Sequence, residues 1–235
     1  MKKKSLAALL MVTVLGLVAC GSSASNSSMT SEVSSTTSEI QDSKVENVSQ
    51  ESTAESLLQP EESAGATVGE TEYTGVIDNG VYVIEKCVTS EEELIVPDTL
   101  DGAPVGVIKS YAFMDVPSKT IVLPDSVTVI GDCAFWGCEN LETIDLGKGL
   151  VTIAQGAFTG CRSLLTVSFP ESLKTIGGAI FVACDSIGEV YIPASTTEIE
   201  SIGFTDDCPN LVVVTEAGSL AEEVAKDLGL PVKNA

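Results

Sequence analysis

The residues best suited to chemistry in this 235-residue chain are its seven cysteines, because the sequence contains no histidine. Four cysteines recur at a spacing of 23 or 24 residues: Cys138, Cys161, Cys184 and Cys208. A row of thiols could bind a metal or form disulfides, but there is no CxxC pair, and equivalent side chains of stacked repeats point side by side, which is poor disulfide geometry. Val116 occupies the same place in an earlier repeat. We therefore predict a buried structural row without a metal.

The other candidates for chemistry are weaker. Cys87 and Cys133 lie outside the row, and a bridge from Cys133 to Cys138, or from Cys87 to another cysteine, stays open for an exported protein. The acidic runs at residues 91–93 and 206–207 lack the spaced carboxylates of a calcium loop, so we interpret them as solvated charge. Without histidine, a nucleotide-binding loop or a nucleophile elbow, the sequence predicts no enzyme and no cofactor.

Net charge excludes two further classes of function. The chain carries 12 Lys and Arg against 34 Asp and Glu, a formal net charge of −22. Nucleic-acid binding requires clustered basic residues that neutralise phosphates. Electrostatic docking on an anionic membrane requires the same kind of cluster. We therefore expect no nucleic-acid partner.

The N-terminus has the pattern of an export signal. Three lysines at residues 2–4 precede an apolar run at residues 6–18, which is too short to span a bilayer but suits a signal peptide. The run ends in Ala19 and Cys20, followed by Gly21, and this ending resembles the lipobox of bacterial lipoproteins. The resemblance implies that residues 1–19 are removed and that Cys20 is lipidated. We then expect the chain to be extracytoplasmic, anchored to the outer face of the bacterial cell membrane through this lipid.

Residues 20–72 are predicted to be a tether. Residues 21–72 contain 14 Ser, 6 Thr, ten acidic residues, one basic residue and no aromatic residue. Such a segment cannot bury enough apolar surface to offset the entropy of ordering it, so we expect disorder. The tether would serve as a spacer between the membrane and a folded domain.

The rest of the chain is a repeat array. Three consecutive units of 23 residues begin with isoleucine: residues 130–152, 153–175 and 176–198. We number coil positions 1–23 from that isoleucine. Apolar residues or cysteine recur at positions 1, 6, 9, 12, 15 and 17. Position 6 is a phenylalanine in each unit: Phe135, Phe158 and Phe181. With degenerate copies on both sides, about five coils span residues 108–216.

Repetition of this kind predicts a solenoid, because a single unit cannot form a core whereas stacked units bury each other's apolar edges. Polar and apolar residues alternate from Glu142 to Leu146, which predicts a strand, and stacked strands form a parallel sheet along one side. A proline or glycine follows each strand and begins a turn: Pro124, Gly147, Pro170 and Pro193. We therefore expect a mainly β solenoid with a column of phenylalanines inside.

The unit I-G-x-x-A-F-x-x-C-x-x-L-x-x-I-x-L-P-x-x-L-x-x resembles the BspA-like leucine-rich repeat of bacterial surface proteins. The resemblance covers residues 108–216 and, less tightly, the leader from Tyr73. It implies a leucine-rich-repeat solenoid with a parallel sheet on one face and turns or short 3₁₀ segments on the other. It also implies an exported, often anchored protein that adheres to host matrix, host cells or other microbes.

Both ends of the array need covers, since terminal coils expose core. Residues 73–107 predict an N-terminal β cap with a hairpin turn at Asn79-Gly80. Residues 217–235 predict a capping helix with N-cap Ser219 and C-terminal Gly229. Three residues at helical spacing are predicted to seal the last coil: Leu220, Val224 and Leu228. An amphipathic helix that binds a partner is the alternative.

The predicted partner surface is the outward face of the sheet. Its outward positions, one per coil, are Val122, Asp145, Ser168, Tyr191 and Thr215, and their neighbours are Thr120, Thr143, Thr166, Glu189 and Val213. Trp136 follows the core phenylalanine at a position of variable residue type, which indicates a second surface and a candidate hot spot. A partly packed surface tryptophan is the alternative interpretation.

From the anchor and the array together, we predict a membrane-anchored surface protein that binds a protein or glycan macromolecule and performs no catalysis. The alternative is a substrate-capture lipoprotein that serves a transporter. A single narrow solenoid lacks the two-lobed cleft of such proteins, which disfavours this alternative.

Overall fold

The described part of the chain starts with an antiparallel meander. The computed structural model describes residues 64–200 and 208–235. Strands β1 (Ala64–Val68), β2 (Thr71–Asp78) and β3 (Val81–Val88) pair in order. Asn79 and Gly80 have φ of 51° and 80°, the left-handed pair that a two-residue type I′ turn requires. The predicted hairpin is confirmed.

The predicted tether extends too far towards the C-terminus. Strand β1 lies inside residues 20–72, and it pairs with β2 along its whole length. Thr71 is also buried, and its hydroxyl lies 2.8 Å from that of Thr89. The folded part therefore includes residues from 64 onwards. The predicted signal peptide, Cys20 and the tether up to residue 63 lie outside the described residues.

Short strands recur through the array. In chain order they are β4 (Glu93–Ile95), β5 (Thr99–Leu100), β6 (Ala103–Ile108), β7 (Thr120–Val122), β8 (Val129–Ile130), β9 (Thr143–Asp145), β10 (Thr152–Ile153), β11 (Thr166–Ser168), β12 (Thr175–Ile176), β13 (Glu189–Tyr191), β14 (Glu198–Ile199) and β15 (Val212–Thr215). Helix α1 (Leu220–Asp227) and β16 (Val232–Asn234) follow.

These strands form two ladders along the solenoid rather than the single one expected. The first continues the meander in the order β1-β2-β3-β6-β8-β10-β12-β14, with β5 beside β6. The second contains two blocks, β4-β7-β9 and β11-β13-β15-β16. The predicted strand at Glu142 to Leu146 is β9, in the second ladder. The first ladder was missed because its two-residue strands are too short to show alternation.

The first ladder brings the repeated isoleucines side by side. Each pairs with the next in parallel register: Ile84, Ile108, Ile130, Ile153, Ile176 and Ile199. The described residues therefore wind through six coils, one more than predicted, because β3 of the N-terminal cap supplies the first. The leucine-rich-repeat solenoid fold is confirmed.

A column of phenylalanines fills the interior. Phe113, Phe135, Phe158 and Phe181 are fully buried. Successive ring centroids lie 5.2, 5.4 and 5.7 Å apart, and the last two pairs are stacked with interplanar angles of 18° and 10°. Stacked rings at this spacing stabilise the fold by more than the burial of their apolar area alone. The predicted column is confirmed.

The last coil departs from the repeat register. Val213 pairs with Val190, and Val214 pairs with Tyr191. One residue separates Leu211 from Val213, whereas two separate the equivalent residues of the preceding coil, so this strand arrives one residue early. The predictions that Val213 and Thr215 are exposed are therefore wrong, since both are fully buried. Val212 and Val214 are the outward residues of this strand, opposite Glu189 and Tyr191.

Helix α1 covers the C-terminal end with a different face from the one predicted. The expected caps are present: the Ser219 hydroxyl accepts the N–H of Glu222 at 3.1 Å, and Gly229 has φ of +71°. However, the buried residues are Ala221 and Ala225. Their small side chains allow the helix backbone to approach the last coil closely.

The predicted sealing residues flank this contact instead. Leu220 and Val224 are half-buried, and Leu228 is 41% exposed because it is the C-cap, where the chain turns away from the helix axis. Strand β16, which the sequence analysis did not predict, then returns to pair in parallel with β15.

Candidate functional site and its two surfaces

In the three-residue strands β4, β7, β9, β11 and β13 of the second ladder the first and last side chains point outward, and we call the row formed by the last ones, which β15 and β16 continue, the sheet-side row. Its members lie opposite one another in the strand register: Ile95, Val122 and Asp145 in the first block, and Ser168, Tyr191, Val214 and Lys233 in the second. Neighbouring strands lie about 4.8 Å apart. The structure therefore places the three predicted residues Asp145, Ser168 and Tyr191 in one row.

Asp145 and Ser168 lie on the two sides of the junction between the blocks. Both are exposed. Asp145 Oδ1 accepts the N–H of Gly147 at 3.0 Å, which fixes the carboxylate over the following turn. Across the junction, the N–H of Leu165 still donates to the carbonyl of Glu142 at 3.1 Å, so the coils stay hydrogen-bonded where the ladder is interrupted.

Tyr191 is held in place by two carboxylates from neighbouring coils. Its hydroxyl lies 2.7 Å from Glu171 Oε1 and 3.3 Å from Glu216 Oε1. Glu216 Oε2 also accepts the N–H of Ala194 at 2.8 Å. The hydrogen bond to Glu171, followed by burial and the nearby negative charges, raises the pKa of the Tyr191 phenol. The Tyr191 ring is therefore ordered and half-buried within the second block of the row.

Ion pairs neutralise the cations near this row. Lys119 pairs with Glu92, Lys148 with Asp125 at 3.3 Å, and Lys233 with Glu189 at 3.0 Å. The two carboxylates nearest the junction, Glu142 and Asp145, have no ion pair among the described residues. Exposed pairs of this kind contribute about 0–1 kcal/mol each. Their main consequence here is that the centre of the row is acidic.

A second surface, the turn side, consists of coil positions 4, 7 and 8. Position 4 holds Tyr111, Cys133, Gly156 and Ala179; position 7 holds Met114, Trp136, Thr159 and Val182; position 8 holds Asp115, Gly137, Gly160 and Ala183. In all four coils positions 4 and 8 have positive φ, between 51° and 80°. In each coil, therefore, two residues with the left-handed backbone conformation flank the core phenylalanine at position 6.

Trp136 lies in the middle of the turn side and is half-buried. Its backbone N–H donates to the carbonyl of Cys133 at 3.0 Å, and its backbone carbonyl accepts the backbone N–H of Asp115 from the previous coil at 2.9 Å. The backbone beneath the indole is thus fixed by neighbouring coils. This placement lies between the two interpretations, a surface hot spot and a packed surface tryptophan, and is compatible with both.

The repeated cysteines are buried. Each thiol donates to the carbonyl of a phenylalanine in the preceding coil, at 3.0–3.3 Å: Cys138 to Phe113, Cys161 to Phe135, Cys184 to Phe158 and Cys208 to Phe181. Burial raises the pKa of the Cys184 thiol to about 12. The structural row is confirmed, and the Cys184 thiol is a poor nucleophile because it stays protonated near neutral pH.

The two disulfides left open are not formed. Cys87, Cys133 and Cys138 are all in the thiol state. Cys87 is buried, and this burial raises its pKa to about 12. Across residues 64–200 and 208–235, no group of three or more cysteines and acidic residues is arranged to hold a metal ion. Residues 206–207 lie outside the described part.

Sequence reasoning missed several exposed apolar residues on both surfaces. Ile95 is 61% exposed at the start of the sheet-side row, and Leu165 is 48% exposed at the junction. On the turn side, Tyr111 and Met114 are 46% and 47% exposed. Ile95 could have been found only by assigning β4 to the repeat, which its degenerate sequence conceals.

Comparison with known proteins agrees with this geometry. A family profile described as the BspA type leucine rich repeat region matches six copies within residues 103–222. The chain is similar to a T. pallidum leucine-rich repeat protein of solved structure, with 34% identity and a TM-score of 0.58 over 62% of this chain and 68% of that one. It is also similar to a leucine-rich repeat protein from Bacteroides ovatus, with 26% identity and a TM-score of 0.52 over 64% of this chain and 42% of that one.

No curated protein gives a significant match to the chain. Among the helices of the described ranges, none is long and apolar enough to cross a membrane.

Proposed function

We propose that this chain, which belongs to the family of BspA-type leucine-rich repeat proteins, is a binding scaffold anchored at the bacterial cell surface, where its sheet side binds a protein or glycan. The observation that carries the proposal is the sheet-side row, in which outward side chains stay in register within a block of three strands and a block of four, with the coils still hydrogen-bonded across the junction. A fixed pattern of side chains along a solenoid is the kind of extended surface on which repeat proteins bind macromolecules.

The order within the row supports this use. Tyr191 is fixed by Glu171 and Glu216, and Asp145 is fixed by the turn at Gly147. Side chains that are already ordered lose less conformational entropy when a partner binds. An aromatic plate among polar neighbours is also a common binding hot spot. We therefore assign partner contacts to Asp145, Ser168 and Tyr191.

The anchor is supported by the sequence of the N-terminus. Ala19 and Cys20 follow an apolar run and three lysines, so we propose a signal peptide and a lipid on Cys20. Two or more acyl chains are enough to hold a protein stably on a membrane. Cells that express the chain and grow on labelled palmitate should label it, and Cys20→Ala should abolish the label. Cys133→Ala is the matched control and should keep it; labelled Cys20→Ala protein would contradict the anchor.

Catalysis is not part of the proposal. The repeat family and its solenoid fold are typically non-catalytic, and we propose that the chain acts by binding alone. An anchored scaffold with an ordered outward row is suited to adhesion to host matrix, to host cells or to other microbes. Specific binding of a small molecule instead would favour capture for a transporter.

The test measures binding of the full-length chain carrying Cys20→Ser, which keeps it free of lipid, to immobilised collagen, fibronectin, laminin and mucin glycans. Ser168→Arg places a long cation in the row. Thr197→Arg is the matched control, since Thr197 is also an exposed hydroxyl residue but lies directly before β14 of the first ladder, outside the sheet-side row. We expect Ser168→Arg and Tyr191→Ala to weaken binding at least tenfold and Thr197→Arg to leave it unchanged. Equal effects of the two arginine substitutions would overturn the sheet side as the binding surface.

A further inference from the structure

The turn side is almost uncharged in a strongly acidic protein. Of its twelve residues only Asp115 carries a charge, whereas the whole chain has a formal net charge of −22. It also carries the exposed side chains of Tyr111 and Met114 and the half-buried indole of Trp136. Depletion of charge together with enrichment in aromatic residues and methionine is the composition of the centre of a protein–protein interface.

Residue size changes along the turn side. The two earlier coils carry its bulky side chains, Tyr111, Met114 and Trp136. The same positions in the two later coils carry smaller residues, Ala179, Val182 and Thr159. The later coils also expose little beyond backbone at position 8, where Gly160 and Ala183 stand. One half of the surface is therefore raised and the other half is low.

We propose that this surface binds a second copy of the chain through a two-fold axis. An axis that lies in the interface, at right angles to the solenoid, reverses the order of the coils but keeps each position opposite its own equivalent. It then sets Trp136 opposite Thr159 of the second copy, Tyr111 opposite Ala179, and Met114 opposite Val182. Every bulky residue faces a smaller one, so the surface is complementary to itself.

The same arrangement reduces electrostatic repulsion. Asp115 faces Ala183 of the second copy, and the two Asp115 side chains lie at opposite ends of the interface. Repulsion between the acidic remainders of the two copies persists, and added salt screens it. The surface extends over four coils, roughly 20 Å at about 4.8 Å per strand, so the dimer belongs to the small, weakly bound class of interfaces. In this dimer both sheet-side rows remain outside the interface.

The test is sedimentation velocity of the full-length Cys20→Ser chain at increasing protein concentration. We expect a reversible monomer–dimer equilibrium that strengthens as salt is raised from about 0.05 M to about 0.5 M. Because Trp136 is the only tryptophan of the sequence, its emission should shift to shorter wavelength over the same concentration range, as the indole loses water.

Paired substitutions test the two-fold geometry directly. Trp136→Thr and Thr159→Trp should each weaken the dimer at least tenfold, since one leaves a gap and the other sets two indoles against each other. The double variant restores one bulky and one small residue in each pair and should recover the association of the unmodified chain. Thr197→Arg is the control and should not affect it.

Three results would overturn the proposal: a monomer at every concentration, a dimer that the single variants do not weaken, or a double variant weaker than either single one. A strictly monomeric chain would leave the turn side to a different partner. None of these results bears on matrix binding through Ser168, so the proposed function succeeds or fails separately.

Discussion

The thiol of Cys184 donates to the carbonyl oxygen of Phe158, 3.0 Å away in the preceding coil. The same oxygen also accepts the backbone N–H of Cys161 at 3.1 Å. A cysteine at position 9 thus fills a small apolar site and supplies a weak donor to a second lone pair of a buried carbonyl. This dual fit is a physical reason for the recurrence of cysteine in a chain that forms no disulfide within its described residues.

Alkaline pH should destabilise the fold through these thiols. Burial raises the pKa of Cys184, and of Cys87, from 9.0 to about 12. In the unfolded chain the thiols ionise near their ordinary pKa, whereas in the folded chain they stay neutral. The stability gained by keeping these thiols buried and neutral is therefore fully present below about pH 9 and is lost as pH rises towards 12.

Urea denaturation under reducing conditions at a series of pH values between about 7 and 11 measures this loss. Cys184→Val removes one of the titrating groups, so its stability should fall less steeply above pH 9 than that of the unmodified chain. Parallel curves for the two proteins would show that Cys184 does not contribute to the alkaline loss.

Replacing the central phenylalanine should be far more costly than replacing an exposed residue of similar bulk. Phe158 is fully buried and stacks between Phe135 and Phe181. Phe158→Ala should lower the free energy of unfolding by about 3–5 kcal/mol, because it removes apolar burial and leaves a cavity. Met114→Ala is the control, and at 47% exposure it should cost less than about 0.5 kcal/mol. A loss below 1 kcal/mol for Phe158→Ala would contradict the stacked core.

The interior of this fold could be predicted from sequence because each coil buries the same positions of the repeat. Phe135, Phe158 and Phe181 occupy the same position of three exact units, so one solution for burial serves all three. The sheet-side row followed from alternation, which fixes the outward direction of Asp145 and Ser168. The contacts of Tyr191 could not be predicted, since they depend on carboxylates 20 and 25 residues away that meet the ring only in the stacked solenoid.

The failures occur where the repeat is broken. The 23-residue spacing predicts outward side chains at Val213 and Thr215, but this coil is one residue shorter before its strand, so both are buried. Helical spacing predicts that Leu228 faces the last coil, but the docking of α1 depends on how closely Ala221 and Ala225 approach that coil. Neither register nor docking distance is encoded by periodicity alone.

A buried hydroxyl offers a stabilising substitution. Thr196 is 3% exposed, and its Oγ1 has no hydrogen-bond partner. Leu150 and Leu173 stand at the same coil position, so an apolar side chain suits the site. Thr196→Val should raise the free energy of unfolding by about 1 kcal/mol, because it removes a desolvated polar group with little change in shape.

Thr215→Val is the matched control in urea denaturation. Thr215 is equally buried, but its hydroxyl lies 2.8 Å from that of Ser219, so the same substitution should destabilise the protein there. Destabilisation by both substitutions would mean that the Thr196 hydroxyl is satisfied in solution.

At position 8 of the turn side, where φ is positive, replacing alanine by glycine and replacing glycine by alanine should change stability in opposite directions. Ala183 has φ of 56°, and its equivalent in the preceding coil, Gly160, has φ of 80°. A left-handed conformation costs a residue with a Cβ roughly 1–2 kcal/mol, and glycine avoids this cost. Ala183→Gly should therefore raise the free energy of unfolding by about 0.5–1 kcal/mol, although glycine substitution ordinarily lowers it.

Gly160→Ala should lower the free energy of unfolding by about 1 kcal/mol or more. Its new Cβ would lie 3.4 Å from Gly137, an ordinary contact, so the penalty would come from the backbone and not from a clash. Ala157→Gly is the control, because Ala157 is fully buried and has no positive φ; it should destabilise. Urea denaturation at low protein concentration compares all three without a contribution from self-association. If Ala183→Gly destabilised as much as Ala157→Gly, the left-handed turn would store no strain at position 8, and the glycines of the equivalent coils would need a different explanation.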